Sequence, residues 1–356
     1  MKHVGQKKSW NLHLNDKYEP YTTVIISTYN EAPVITRRLQ NLEELEYPRD
    51  KIEVIVADSA SSDGTADIVD RYVKNHGFPF GILVLREKQR KGKAKAMNLA
   101  LQHAKGEVIA TSDADSYWDP KALRIALSFM ADPKVGAVTG REMLTNIGRS
   151  TYTMAEDTYS GFNRTIRYGE SKLGSTLIFQ GELSLYKRKA FEQFEDKSGS
   201  DDVGTVISIV ANGYRTLFVP TATFHDAAHY TLSGRMTVKT RRAQHLIYGV
   251  LNASRLKLRL RKRMPISVST VFMNLYLYVL NPIIGVLLVG ALIFLAISFP
   301  ILLLGLLLLP VLLLRKSRIM LISYLTSNVA LLLALARCVA GDRQVTWKKI
   351  DETRYQ

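Results

Sequence analysis

From Tyr21 to about Val219 the chain alternates between two patterns of apolar positions. Short apolar, β-branched runs at Thr22–Ser27, Ile52–Ala57, Gly81–Arg86, Glu107–Thr111, Val135–Gly140 and Arg215–Val219 read as strands. Between them, Pro33–Leu45, Thr65–His76, Lys93–Ala104 and Pro120–Met130 repeat apolar residues at three- and four-residue steps and read as helices. Asp119 before Pro120 predicts a helix start with a capping side chain and a φ-restricted first residue. Strands alternating with helices predict an α/β fold: a mostly parallel sheet with helices on both faces, and ligands at the carboxyl ends of the strands.

Beyond residue 265 the pattern changes. Val268 to Leu314 is apolar, interrupted by Asn274, Asn281 and a few hydroxyls. A spanning helix needs about 20 residues, so this stretch suits two spans turning near Ser298-Phe299-Pro300. A third run, Ile319 to Ala336, follows Arg315-Lys316-Ser317-Arg318; its C-terminal flank is also basic (Arg337, Arg343, Lys348, Lys349), so it reads as a span or as an interfacial or re-entrant segment. The divisions expected are an N-terminal segment (1–20), an α/β domain (21–232), basic interface helices (233–265), a membrane region of two or three spans (266–340) and a tail (341–356).

Charge sharpens this picture. The 356 residues carry 48 basic against 32 acidic side chains, a formal net charge of +16, which favours a polyanionic partner: nucleic acid, an anionic lipid surface or phosphorylated substrates. Arg255-Leu256-Lys257-Leu258-Arg259-Leu260-Arg261-Lys262-Arg263 lies directly before the apolar region and suits the anionic cytoplasmic leaflet, at roughly 1 kcal/mol per basic residue. The bilayer is therefore the expected partner, and nucleic acid is not. An integral protein of the cell membrane with its α/β domain on the cytoplasmic side is the expected arrangement. The single cysteine, Cys338, excludes an internal disulfide framework, and Met1 to Trp10 lacks the apolar core of a cleavable signal peptide.

The candidate chemistry follows the strands. Thr22–Ser27 runs into Thr28-Tyr29-Asn30-Glu31, Ile52–Ala57 into Asp58-Ser59-Ala60-Ser61-Ser62-Asp63-Gly64-Thr65, and Glu107–Thr111 into Ser112-Asp113-Ala114-Asp115-Ser116. Each loop alone is compatible with turn and cap chemistry; three acid-bearing strand ends along one sheet point to an active-site rim. Asp113 and Asp115, one residue apart in an extended segment, can share a face. Two carboxylates suit Mg²⁺ or Mn²⁺, which completes its shell with water and substrate phosphates. The loop Lys88-Gln89-Arg90-Lys91-Gly92-Lys93 at a strand-to-helix junction offers backbone N–H groups and lysines to phosphate, although a charge run is also compatible with a solvated face.

Together, Thr28-Tyr29-Asn30-Glu31, Asp58 with Ser62-Asp63-Gly64-Thr65, Lys93 through Asn98, Asp113-Ala114-Asp115, and a later block of Gly181, Tyr186–Phe191, Ser200-Asp201-Asp202-Val203, Asn212–Arg215 and Val219-Pro220 resemble the family 2 glycosyltransferases of GT-A fold over roughly residues 20–250. The resemblance implies an inverting transferase acting on a nucleotide-diphosphate sugar. Tyr29, Glu31 and Asp58 would contact the nucleoside, Lys93 the base or diphosphate, Asp113 the nucleotide or metal-bound water, and Asp115 the metal. Asp202, paired with Asp201, matches the general base; without the resemblance the Asp-Asp pair reads as an N-terminal helix cap. The processive members carry Gln-x-x-Arg-Trp where this chain reads Val238-Lys239-Thr240-Arg241-Arg242. Arg241 would stabilise the leaving diphosphate, while Arg242 and Gly181 are acceptor-side candidates; long-chain processivity is not implied. The acceptor is a saccharide or lipid-linked hydroxyl, with a polyprenyl-phosphate sugar synthase and a catalytically degenerate nucleotide-binding membrane scaffold as the alternatives.

Overall fold

The structure, a computed structural model, describes residues 1–196, 201–260, 263–298, 305, 314–342 and 353. Its strands are β1 (Thr22–Thr28), β2 (Ile52–Asp58), β3 (Gly81–Arg86), β4 (Val108–Asp113), β5 (Tyr117–Trp118), β6 (Val135–Leu144), β7 (Ser184–Lys187) and β8 (Arg215–Asp226). The helices are α1 (Lys2–Lys7), α2 (Ile35–Glu43), α3 (Thr65–His76), α4 (Lys93–His103), α5 (Ala122–Met130), α6 (Thr151–Leu173), α7 (Asp201–Ala211), α8 (Leu232–Leu260), α9 (Val268–Leu275), α10 (Asn281–Ser298) and α11 (Arg315–Val339). The six strands and four helices expected from periodicity are present. Strands β5 and β7 and the long α6 are additions.

One sheet holds all eight strands in the order β3-β2-β1-β4-β7-β6-β8-β5. β1 pairs in parallel with β2 and β4, β2 with β3, and β6 with β8; β7 is antiparallel to both neighbours and β5 to β8. The sheet is thus mixed, parallel where β1 and its neighbours carry their loops to one edge. Burial on both faces explains the continuous apolar runs of the central strands. Val24 and Ile26 face Leu39 and Leu42 of α2, Val69 of α3 and Leu127 of α5. Ile25, between them, faces Ala96 and Met97 of α4 and Val206 of α7 on the other side.

The expected cap at Asp119 is corrected. Helix α5 starts after Lys121 without a side-chain cap. The Asp119 carboxylate instead accepts from the Thr223 hydroxyl and meets His225 Nε2 at 2.8 Å. Its backbone N–H donates to Thr223 O at 3.1 Å, so this aspartate is used to tie β5 to β8.

Two helical stretches, Val268–Leu295 and α11, are long and apolar enough to cross a membrane, with mean hydropathies of 2.4 and 2.0. The first runs from α9 through a π-helical turn, Tyr276–Leu280, into α10. Ala243, Ile247 and Val250 of α8 pack with Tyr278 and with Leu331 and Ala334 of α11, so the apolar helices join the α/β body along α8. The expected turn at Phe299-Pro300, the second run of the hairpin and most of the tail lie outside the described residues.

Candidate active site

The loops after β1, β2 and β4 meet at one edge of the sheet and interlock. Asn30 takes a left-handed conformation (φ +57°), an arrangement asparagine tolerates better than most residues. Its side-chain oxygen accepts from Ser62 N at 2.8 Å, and its own N–H donates to Ser61 Oγ at 2.8 Å. Glu31 N donates to Thr65 Oγ1 at 2.9 Å. Asp58 sits beneath this crossing: its carboxylate accepts from Thr28 Oγ1 at 2.9 Å and from Ser61 N at 3.0 Å. It is buried and directed to the loop, so its effect on any ligand at Tyr29 and Glu31 runs through the loop it holds.

Above the sheet edge lies a cavity of about 360 Å³, within the usual range for small-molecule sites. Every residue predicted for the site from sequence lines it except Asp58. At one end the Arg90 guanidinium stacks 3.7 Å from the centroid of the Tyr29 ring, a cation–π contact that shapes a flat wall. Gly92 caps α4 at φ +101°, a conformation that favours glycine, and brings Lys93 into the cavity. Lys93 Nζ donates to Asp113 Oδ1 at 2.6 Å and lies 4.0 Å from Asp201 Oδ2. Burial pulls this ammonium down, but Asp113, Asp201 and Asp202 outweigh it and hold it well above the ordinary lysine value.

Asp201 and Asp202 open α7, where the helix dipole favours carboxylates. Asp202 Oδ1 is buried and has no hydrogen-bond partner among the described residues. Burial, and then the neighbouring Asp201 charge, push the Asp202 carboxyl well above the usual aspartate range; Lys93 opposes the shift without cancelling it. Gly181 is what lets these groups meet: a Cβ there would stand 2.9 Å from Lys93 Nζ and 3.0 and 3.1 Å from the two Asp202 oxygens. Its carbonyl accepts from Thr111 Oγ1 at 3.1 Å, which ties the loop to β4.

Four acidic residues here were not anticipated. β8 continues through Pro220 to Asp226, whose carboxyl is raised well above the usual range by burial and then by Asp115. Glu142, on the β6 extension, is raised by burial and then by Glu182. Glu182 accepts from Arg242 Nη2 at 3.0 Å, while its backbone oxygen accepts from Trp118 Nε1 at 2.7 Å. Glu156 of α6 binds Arg235 and Lys239 of α8. The strand pattern extends to Asp226 in principle, but Pro220 reads as its end. Ser150, which caps α6 reciprocally with Thr153, was the available signal for the helix bearing Glu156.

The loop after Asp115 is braced from behind. Asn41 Nδ2 donates to Trp118 O at 2.9 Å and Trp118 N to Asn41 Oδ1 at 2.8 Å. Arg38, fully buried, also donates to Asn41 and lies 4.6 Å from the Trp118 ring centroid. Arg241 and Arg242 reach the cavity from α8; burial, then Arg242, lowers the Arg241 guanidinium to about 10.

Among the described residues, no group of three or more His, Cys, Asp or Glu is arranged to hold a metal by itself. Asp115 and Asp226 nevertheless present mutually repelling carboxylates to the cavity. That donor set fits a hard divalent cation whose remaining ligands are water and phosphate.

Comparison with known proteins identifies the family. Residues 23–194 match the model of glycosyl transferase family 2. A mannosyltransferase of Pyrobaculum calidifontis, solved with GDP-Man and Mn²⁺, is 32% identical, superposes with a TM-score of 0.81 and is matched over 95% of this chain and 92% of its own. A "probable glycosyltransferase" of Bacillus subtilis (strain 168) is 28% identical over 74% of this chain and 64% of its own length. The poly-beta-1,6-N-acetyl-D-glucosamine synthase of Staphylococcus aureus (strain COL) is 27% identical over 62% and 53%. The chain therefore spans less than two thirds of these two curated relatives. With the sheet order, the strand-end acids and the near full-length structural match together, the chain belongs to glycosyl transferase family 2 and is a glycosyltransferase of GT-A fold.

Proposed function

We propose that this enzyme moves a sugar from a UDP- or GDP-sugar to a hydroxyl acceptor at the cytoplasmic membrane face, inverting the anomeric centre, with a divalent cation bound. The observation that carries the reading is the approach of Asp202, through the gap left by Gly181, to the Lys93–Asp113 ion pair. Tyr29, Glu31 and Arg90 form the nucleoside end, held by Asp58 from below. Lys93 lies where the diphosphate would sit, and Arg241 offers a second cation on the far wall. Asp202 accepts the proton of the acceptor hydroxyl as its oxygen bonds to the anomeric carbon and the nucleoside diphosphate departs with the bonding electrons. Its raised proton affinity suits a base working near neutral pH. Asp115 and Asp226, with Asp113 beside them, would hold Mn²⁺ or Mg²⁺, whose chemistry is to offset charge on the departing diphosphate.

A polyprenyl-phosphate acceptor, already ionised, needs no base and would approach Asp201, Asp202 and Glu182 against their charge. The retained acids argue likewise against a degenerate scaffold. The cytoplasmic assignment draws on the basic residues Arg255, Lys257 and Arg259 at the end of α8 and Arg315, Lys316 and Arg318 at the start of α11. The test is a thermal-shift panel of UDP- and GDP-sugars with Mn²⁺. One donor should raise the melting midpoint and EDTA should remove the effect; a flat panel refutes the reading.

A further inference from the structure

The cavity does not end at Asp202. It continues past Glu182 and Arg242, between α6 and α8, to a floor made by Tyr278 of the π-helical turn and by Ser327, Ala330 and Leu331 of α11. One continuous space thus joins the nucleotide end to the two helices long and apolar enough to cross a bilayer. We infer that the acceptor is a neutral, hydroxyl-bearing amphiphile, its polar end in the chamber between α6 and α8 and its apolar end against α11; this rests on the transferase reading above and specifies its acceptor.

The polar part of the chamber is built of charges that already answer one another. Arg235 Nε and Lys239 Nζ both reach Glu156 Oε2, at 3.0 and 3.1 Å. Lys239 also sits 3.4 Å from the centroid of the Tyr159 ring, and burial lowers its ammonium to about 8. Arg242 serves Glu182, and Arg167, whose Nη1 donates to the neutral Gln180 Oε1 at 3.0 Å, answers the charge of Glu142. An incoming phosphate would have to break such pairs to gain a cation, while facing Glu142 and Glu182. Sugar or polyol hydroxyls make no such demand: they can donate to the carboxylates and accept from the guanidinium and ammonium groups without disturbing the charge balance.

The far end has a different character. Ala330 and Leu331 are almost fully buried there, with Ile178 and Leu246 beside them. On the outward side of the same helix Val329 and Leu333 are 47% and 49% exposed, an apolar surface that a bilayer would cover. The chamber floor is therefore one helix removed from the lipid, and a wholly water-soluble saccharide would leave its apolar end unused.

The experiment uses the full chain in phosphatidylcholine vesicles, with the donor found above, and measures nucleoside diphosphate release. Probes are the methyl and dodecyl glycosides of glucose, mannose and N-acetylglucosamine, and dodecyl phosphate. At least one glycoside series should accelerate release. The ratio of half-saturating concentrations, dodecyl to methyl, should rise at least tenfold in Ala330→Trp, which fills the floor, and less in Ala330→Leu. Tenfold is about 1.4 kcal/mol, the burial of roughly two methylenes. Comparing each variant's ratio with the parent's at one lipid concentration cancels the partition of the probes into vesicles. Val329→Trp, on the outward side, should leave the ratio as in the parent. An unchanged ratio in both Ala330 variants overturns the inference, as does acceleration by dodecyl phosphate equal to that by the glycosides. So does donor hydrolysis that no glycoside accelerates. No donor turnover and no donor-induced thermal shift at all would overturn the transferase reading as well.

Discussion

Gly181→Ala is the smallest change that disturbs the centre of the site. The added methyl would sit 2.9 Å from Lys93 Nζ and 3.0 and 3.1 Å from the Asp202 oxygens, where ordinary contacts begin near 3.4 Å. Several tenths of an ångström must be found. Lys93 cannot retreat without altering its 2.6 Å contact with Asp113, and the Gly181 carbonyl is tied to Thr111. The displacement therefore falls on Asp202 and Lys93, the groups assigned to base catalysis and diphosphate binding. Misplacement of about 1 Å can cost about 10²-fold in rate, so a shift of this size should lower kcat about 10- to 50-fold, or about 1.4–2.3 kcal/mol. Overpacking typically costs 1–3 kcal/mol; beside an open cavity the lower end applies, and the melting midpoint should fall by only a few degrees. The assay is nucleoside diphosphate release under saturating donor, with the melting midpoint measured on the same preparation. A kcat within twofold of the parent would refute the placement of Gly181 between the two groups.

Other substitutions test separate parts of the account. Asp202→Asn should lower transfer to a hydroxyl acceptor about 10²- to 10⁴-fold while preserving donor-induced thermal stabilisation; near-normal transfer would refute the base assignment. Because Asp202 must be deprotonated to act and its carboxyl is held well above the ordinary range, the acid limb of the parent kcat profile should lie above the usual aspartate pKa; a limb near 4 would contradict this. Asp226→Asn should raise the half-saturating Mn²⁺ concentration at least tenfold, measured by donor turnover against free metal; an unchanged value excludes Asp226 as a ligand. Glu170, with Thr176 and Asn274 donating to it, is raised by burial to about 7. A raised folded-state pKa stabilises below the unfolded value and loses that contribution as pH rises through the folded one. The apparent melting midpoint should therefore fall between about pH 5 and 8, and Glu170→Gln should flatten the fall; equal slopes would refute it.

Much of this site is visible in the sequence because local chemistry and strand ends coincide. Gly81–Arg86 and Thr65–His76 have the bounds that periodicity gives them, since a glycine or a polar turn closes each one. Asp113 ends and Asp115 follows a strand buried on both faces, so their position at the sheet edge is fixed by the run before them. Other features depend on tertiary pairing. Asp119 has the sequence of a helix cap, yet Thr223 and His225, over a hundred residues away, claim its carboxylate. Asp58 ends its strand as Asp113 does, but the Ser61 turn folds over it. Pro220 falls where the β6–β8 register shifts, so β8 continues past it and delivers Asp226. The acceptor chamber is least legible, because Glu156, Tyr159, Lys239 and Ala330 converge only when α6, α8 and α11 pack together.

The stereochemistry of transfer tests the central claim most directly. With the donor and a glycoside acceptor in hand, proton NMR of the product reads the anomeric configuration of the transferred sugar at its first appearance. A single displacement with Asp202 as base predicts inversion, a β-linked product from an α-linked donor. A retained configuration would contradict the account, because a single displacement driven by Asp202 cannot yield it.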